Sequence, residues 1–79
     1  MIRVRYFAAA AEAAGVDTET FDAATAGELR AAMVDAHGAA LDRVLTRCSL
    51  LAGGHRLDAD SRRIEDGVTV DVLPPFAGG

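Results

Sequence analysis

The segment Val68-Thr69-Val70-Asp71-Val72-Leu73 alternates apolar and polar side chains and is followed by Pro74 and Pro75. A period of two is typical of a strand with one buried face, and neither proline has an N–H with which to continue a ladder. Ile2-Arg3-Val4-Arg5-Tyr6 shows the same alternation and ends at Phe7. Because these two strands are the most apolar of the chain, we expect them to lie side by side, as a parallel pair, at the centre of one sheet.

Helical patterns lie between the two strands. The sequence predicts a short Ala-rich helix at 8–14, closed by Gly15, and a weak strand at 17–21 that returns as the hairpin partner of the first. A longer helix begins at Thr25, which forms a capping-box pattern with Glu28, and ends at Gly38. Its apolar stripe, expected to face the sheet, comprises Leu29, Ala32, Met33 and Ala36.

A second short helix at 40–45, a strand at 48–52, a Gly53-Gly54 turn and a returning segment at 55–57 complete the pattern. This order predicts an α+β, β-grasp (ubiquitin-like) fold, with a mixed sheet of about four to five strands packed on one main helix. Since the chain has 79 residues, 51% of them hydrophobic, we expect one domain over 1–79 with an extended tail at 74–79.

Composition narrows the possible partners. The net charge is −4 and the eight basic residues are scattered arginines, so the dense basic footprint of a nucleic-acid-binding protein is missing. Lysine is absent, which excludes a lysine nucleophile or Schiff base in this chain and attachment of other chains to a lysine side chain. The N-terminus has no apolar signal region and no stretch approaches the length of a membrane span. We therefore expect a cytoplasmic protein without a membrane partner.

The number and spacing of the cysteine and histidine residues do not indicate a metal site. Cys48 is the only cysteine, so it cannot form an internal disulfide, and we interpret it as a small buried hydrophobe in preference to a reactive thiol. His37 and His55 have no Cys or His at ligand spacing.

The Gly78-Gly79 ending is the most informative feature for function. A terminal diglycine presents a carboxylate on a stalk without side chains, which can enter a narrow enzyme channel. That carboxylate, with a pKa of about 3.3–3.7, is ionised at neutral pH and is a poor electrophile. Attachment of anything to Gly79 therefore requires an ATP-dependent activating enzyme.

Several segments together resemble the small subunit of molybdopterin synthase. They are Val4-Arg5-Tyr6-Phe7-Ala8 with the following Ala/Glu helix, the helix that starts at Thr25, the turn Ile64-x-Asp66-Gly67, and the ending that runs from Val70 to Gly79. The resemblance covers the whole chain and is most specific in Pro-Pro-x-x-Gly-Gly. The Phe7-Ala8 pair favours this branch over the related sulfur carrier of the thiamine pathway.

The resemblance implies a role for each tail residue. Gly79 would be adenylated, converted to a thiocarboxylate, and used to donate sulfur to a pterin precursor, forming its dithiolene. The implied partners are the large subunit of the synthase, an adenylating enzyme that uses ATP, and a sulfur donor protein; no cofactor is bound by this chain, and the catalytic side chains lie on the partners. The implied partner-binding residues are Pro74, Pro75, Phe76, Ala77, Gly78 and Phe7. Phe76 is the expected anchor, with folding back onto the chain's own surface as the alternative.

Two other functional classes stay open. The diglycine equally fits a sulfur carrier for thiamine, cysteine or tRNA thiolation. It also fits a ubiquitin-like modifier whose Gly79 is joined to protein amines.

Overall fold

Five strands form one mixed sheet in the computed structural model, which describes residues 1–75. The strands are β1 (Ile2–Tyr6), β2 (Thr18–Phe21), β3 (Ser49–Ala52), β4 (His55–Arg56) and β5 (Thr69–Leu73), and the helices are α1 (Ala9–Ala14), α2 (Ala26–His37) and α3 (Ala39–Leu45). The predicted elements are thus confirmed, with bounds that shift by a residue or two. No helix in this part of the chain is long and apolar enough to cross a membrane.

The first and last strands lie side by side, as expected. The order across the sheet is β2-β1-β5-β3-β4. β1 runs parallel to β5, in a register that joins Arg3 to Thr69 and Tyr6 to Val72. β3 borders β5 on the other side and is antiparallel to it. The tail therefore leaves from a strand with a neighbour on each side.

One face of the sheet is covered by the helices. The largest fully buried side chains are Ile2, Val4, Leu29, Met33, Leu41, Leu45, Leu50, Val70 and Val72. The alternation in β1 and β5 puts their apolar residues in this core, as predicted. The predicted stripe of α2 is wrong at Ala36, which is exposed. Ala36 lies in the last turn of α2, where His37 makes the contacts with β1 and β2.

The start of α2 is held from two sides. Thr25 Oγ1 accepts the Glu28 N–H at 3.2 Å, while Glu28 Oε1 accepts the N–H of Ala24 at 3.0 Å, one residue before the cap. Gly27 donates its N–H to the carbonyl oxygen of Asp60 at 3.0 Å. A Cβ at position 27 would lie 2.9 Å from Asp60 Cβ, so this first turn approaches the 58–61 loop too closely for a side chain.

Candidate functional site

The base of the tail lies at the end of the central strand β5. Phe7, which follows β1, donates its N–H to the carbonyl oxygen of Val72 at 3.2 Å, two residues before Pro74. Pro74 is half-buried and Pro75 is exposed. The fold thus brings Phe7 to the base of the tail, where the sequence analysis placed a partner-binding surface. The predictions for Phe76, Ala77, Gly78 and Gly79 lie outside the described residues.

Phe7 is exposed on one side and contacts an arginine on the other. Phe7 is 39% exposed. Arg5 Cζ lies 5.7 Å from the centroid of the Phe7 ring, within range of a cation–π interaction. Arg5 in turn donates from Nε and Nη2 to the two carboxylate oxygens of Asp71, at 2.6 and 2.9 Å. This hydrogen bonding raises the pKa of Arg5 above its usual value. A continuous contact thus links Asp71, Arg5 and Phe7 on the face of the sheet opposite the core.

The chain turns sharply at Ala8, immediately after Phe7. Ala8 is the only non-glycine residue of 1–75 with a positive φ, at φ 51° and ψ −124°. An L-residue in such a conformation stores strain of about 1–3 kcal/mol, and strained residues cluster at functional sites. This turn ends β1 and starts α1, so a strained residue separates Phe7 from the helix that follows it.

An open apolar groove extends from the tail base. It lies between α1, α3, the β3–β4 hairpin and residues 73–75. Val44, Leu51 and Leu73 contribute to its lining, and so do Arg43 and Arg47. This groove could not be predicted from the sequence, because α1 and α3, which pack against each other, lie about 30 residues apart in the chain and neither helix carries a signal for the other.

The region around Cys48 gives no sign of a reactive thiol. Cys48 is half-buried, and burial raises the pKa of its thiol, against a smaller lowering effect of Arg30. A small cavity of about 180 Å³ beside it is lined by polar groups that include Arg30 and Asp60, which lie 4.0 Å apart as an ion pair. Within residues 1–75, no three His, Cys, Asp or Glu side chains come together as metal ligands would.

A second feature that the sequence analysis missed is a polar contact between three elements. Tyr6 in β1 donates its hydroxyl hydrogen to Glu19 Oε2 at 2.7 Å, and His37 Nε2 at the end of α2 contacts the same oxygen. The rings of Tyr6 and His37 meet edge to face, with centroids 6.0 Å apart. The pKa of Tyr6 is raised, chiefly by burial of the side chain and to a smaller extent by the interaction with Glu19. The contact fixes the end of α2 on the sheet.

Several known proteins are similar to this chain in fold and in sequence. Residues 4–79 match the ThiS family. The chain is 37% identical over 82 residues to the molybdopterin synthase sulfur carrier subunit of Chlamydomonas reinhardtii, covering 99% of this chain and 98% of that protein. Among solved structures, it is similar to SAMP1 from Haloferax volcanii, with 30% identity, a TM-score of 0.82, and coverage of 99% and 98%.

A third similarity is to the structure of a protein–protein complex of subunits 1 and 2 of the molybdopterin-converting factor from Helicobacter pylori. The identity is 26%, the TM-score is 0.74, and the match covers 99% of this chain and 97% of that one. The β-grasp prediction and the resemblance are therefore confirmed. The chain belongs to the ThiS family and is a homologue of the molybdopterin synthase sulfur carrier subunit.

Proposed function

We propose that this chain is the sulfur carrier subunit of a molybdopterin synthase. The observation that carries the proposal is its similarity, over nearly the full length of both chains, to a protein of that name. In the proposed reaction an adenylating enzyme joins the Gly79 carboxylate to AMP from ATP and releases pyrophosphate. The terminal sulfur of a persulfide on a donor protein then attacks the carbonyl carbon and displaces AMP, which leaves Gly79 joined to the donor through an S–S bond. A second thiol attacks the donor's sulfur of that bond and forms a disulfide with it, and Gly79 is released as a thiocarboxylate.

The geometry of the tail base supports delivery of that sulfur to a partner. β5 is held on both sides, so the point from which the tail leaves does not move with a sheet edge. Pro74 and Pro75 favour an extended path, and residues 74–79 can reach at most roughly 20 Å from the domain. Phe7 would contact the partner at the tail base, and Phe76 would anchor the tail further out.

The proposed partner is the large subunit of the synthase, which would hold the pterin precursor and supply the catalytic side chains. The Helicobacter pylori structure supports it, since it is a complex of subunits 1 and 2 of the molybdopterin-converting factor and one of its chains is similar to this one. On this proposal the chain is a co-substrate that acts in the cytoplasm, and ATP is bound by the activating enzyme alone.

A second candidate function is that of a ubiquitin-like modifier. It is favoured by the similarity to SAMP1, a small archaeal modifier protein. Because the chain has no lysine, it could not build lysine-linked polymers of itself, and its adducts would lie on other proteins.

The test is the intact mass of the protein after incubation with the adenylating enzyme, ATP and a sulfur donor. Replacement of one oxygen by sulfur on the peptide that ends in Gly79 would support the sulfur carrier. A variant with one residue added after Gly79 is the control and should stay unmodified. No mass change with an enzyme that is active on another carrier would contradict the proposal, and covalent high-mass adducts in cells would favour the modifier.

A further inference from the structure

The groove beside the tail base differs in charge from the rest of the chain. Three of the eight arginines line it, together with only two of the twelve carboxylates. The rest of the chain contains five arginines and ten carboxylates. Positive side chains are therefore in excess in the groove, although the chain as a whole is acidic, and the arginines that produce the excess are Arg43, Arg47 and Arg56.

These three arginines are exposed and form no salt bridge with any residue of 1–75. Of the five arginines outside the groove, three are paired with aspartates, Arg5 with Asp71, Arg30 with Asp60, and Arg62 with Asp58, while Arg3 and Arg63 are in no salt bridge with a residue of 1–75. An exposed guanidinium presents several N–H donors in a planar fork that fits a carboxylate in two parallel hydrogen bonds. The lining of the groove therefore offers three cations to carboxylates from outside the chain.

The groove between these cations is apolar and continuous with the tail. Val44 and Leu51 are half-buried, and Leu73 connects the groove to Pro74 and Pro75. A protein that receives the tail must come close to residues 74–75, since the six residues 74–79 span only roughly 20 Å. Its surface would then lie against this groove.

We propose that the groove docks an acidic surface of the protein that receives the tail, the large subunit of the synthase. Carboxylates of the large subunit would pair with Arg43, Arg47 and Arg56, and an apolar side chain between them would cover Val44 and Leu51. The inference rests on the proposed function and adds to it the charge of the partner's docking surface. Charge complementarity of this kind acts mainly on the association rate and on the choice of partner.

The experiment measures the association rate and Kd for the cognate large subunit with Arg43→Glu/Arg47→Glu. The matched control, Arg62→Glu/Arg63→Glu, changes the net charge by the same amount outside the groove. At about 0.1 M ionic strength the groove variant should bind at least ~10-fold more weakly, and the control within ~2-fold of the unaltered chain. At about 1 M salt, where the Debye length falls to about 3 Å, the difference should largely disappear.

Equal affinities of the two variants would overturn the inference, and so would a loss that does not respond to salt. Failure of the unaltered chain to bind the large subunit would overturn the proposed function as well. If the groove variant instead loses self-association in sedimentation while its affinity for the large subunit is unchanged, the occupant is a second copy and the proposal is wrong. Arg47→Gln/Arg56→Gln replaces the first variant if that one unfolds, with a smaller loss expected.

Discussion

Arg5 and Asp71 pair directly across the central strands, with two hydrogen bonds of 2.6 and 2.9 Å between the guanidinium and the carboxylate. The two residues are register partners in the parallel β1–β5 pair. Because Arg5 also lies over the ring of Phe7, the ion pair connects the middle of the sheet to the residue beside the tail base.

Asp71→Asn should lower the unfolding temperature only slightly. The side chains of Arg5 and Asp71 are 51% and 25% exposed, so water and salt screen their attraction. The difference from the unaltered chain should shrink as salt is added, because screening weakens the ion pair in the unaltered chain alone. Calorimetry at low and high salt checks this, with Asp58→Asn, which affects a more exposed pair, as the control. A large, salt-independent loss would mean that Asp71 acts through packing.

Phe7→Ala should weaken binding to the large subunit and leave the fold intact. The side chain is partly exposed at the tail base, so it can contact a partner without being part of the core. Phe76→Ala should act in the same direction. Titration calorimetry measures both, and Val16→Ala, an exposed apolar residue outside the groove and the tail base, serves as the control. A dissociation constant unchanged by Phe7→Ala would remove Phe7 from the interface.

Ala8→Gly should stabilise the domain. Glycine adopts the positive φ of position 8 without strain, and after its own entropic cost the net gain in unfolding free energy should be about 1 kcal/mol. Urea denaturation measures it. Ala9→Gly, one residue later and inside α1, should instead destabilise. Loss of stability in both variants would show that Ala8 is not strained.

Gly27→Ala should destabilise the domain, although glycine to alanine within a helix ordinarily stabilises by roughly 0.5–1 kcal/mol. The new Cβ would lie 2.9 Å from Asp60 Cβ and 3.3 Å from the Asp60 carbonyl oxygen, so α2 or the 58–61 loop must move. Ala31→Gly, at an exposed position of α2, gives the ordinary helix response for comparison in the same urea titrations. A more stable Gly27→Ala variant would contradict the close approach.

Stability should fall at alkaline pH because of Tyr6. Burial and Glu19 raise the pKa of Tyr6 in the folded state, whereas the unfolded chain loses this proton near pH 10. The contribution of Tyr6 is therefore complete below about pH 10 and decreases as the pH rises from there towards the folded pKa, by at most about 1.4 kcal/mol per pH unit.

The measurement is urea denaturation of the unaltered chain and of Tyr6→Phe across this range. Tyr6 is the only tyrosine and the chain has no lysine, so phenolate absorbance reports Tyr6 alone and no lysine titration overlaps with it. Tyr6→Phe should lack the additional alkaline slope. Parallel slopes for the two chains would show that Tyr6 ionises in the folded state as it does in water.

The strands and the tail base could be predicted because their signals are local. The alternation of Ile2, Val4 and Tyr6 is enough to place β1 and its buried face, and Pro74 is enough to end β5. Placing the two most apolar strands together then gave the central parallel pair. Phe7 entered as a candidate through the family resemblance, and the fold brings it to Val72.

What could not be predicted depends on register and on distant contacts. Arg5 and Asp71 carry opposite charges in two predicted strands, but nothing in the sequence fixes which residues of the strands face each other. The contact of Glu19 with His37 joins elements whose positions follow only from the complete fold. Gly27 is a residue from which one distant contact could have been predicted. Glycine in a helix is unfavourable, so its presence in the first turn of α2 indicates that another segment comes close.

The central position of β5 has a mechanical consequence. An edge strand can be peeled from its sheet one hydrogen bond at a time, but β5 is held by β1 and β3 together. A pull on the tail along β5 loads both ladders in shear, so that many bonds must break at once. On the proposed function, an enzyme that draws the tail into its channel would therefore pull against both ladders together.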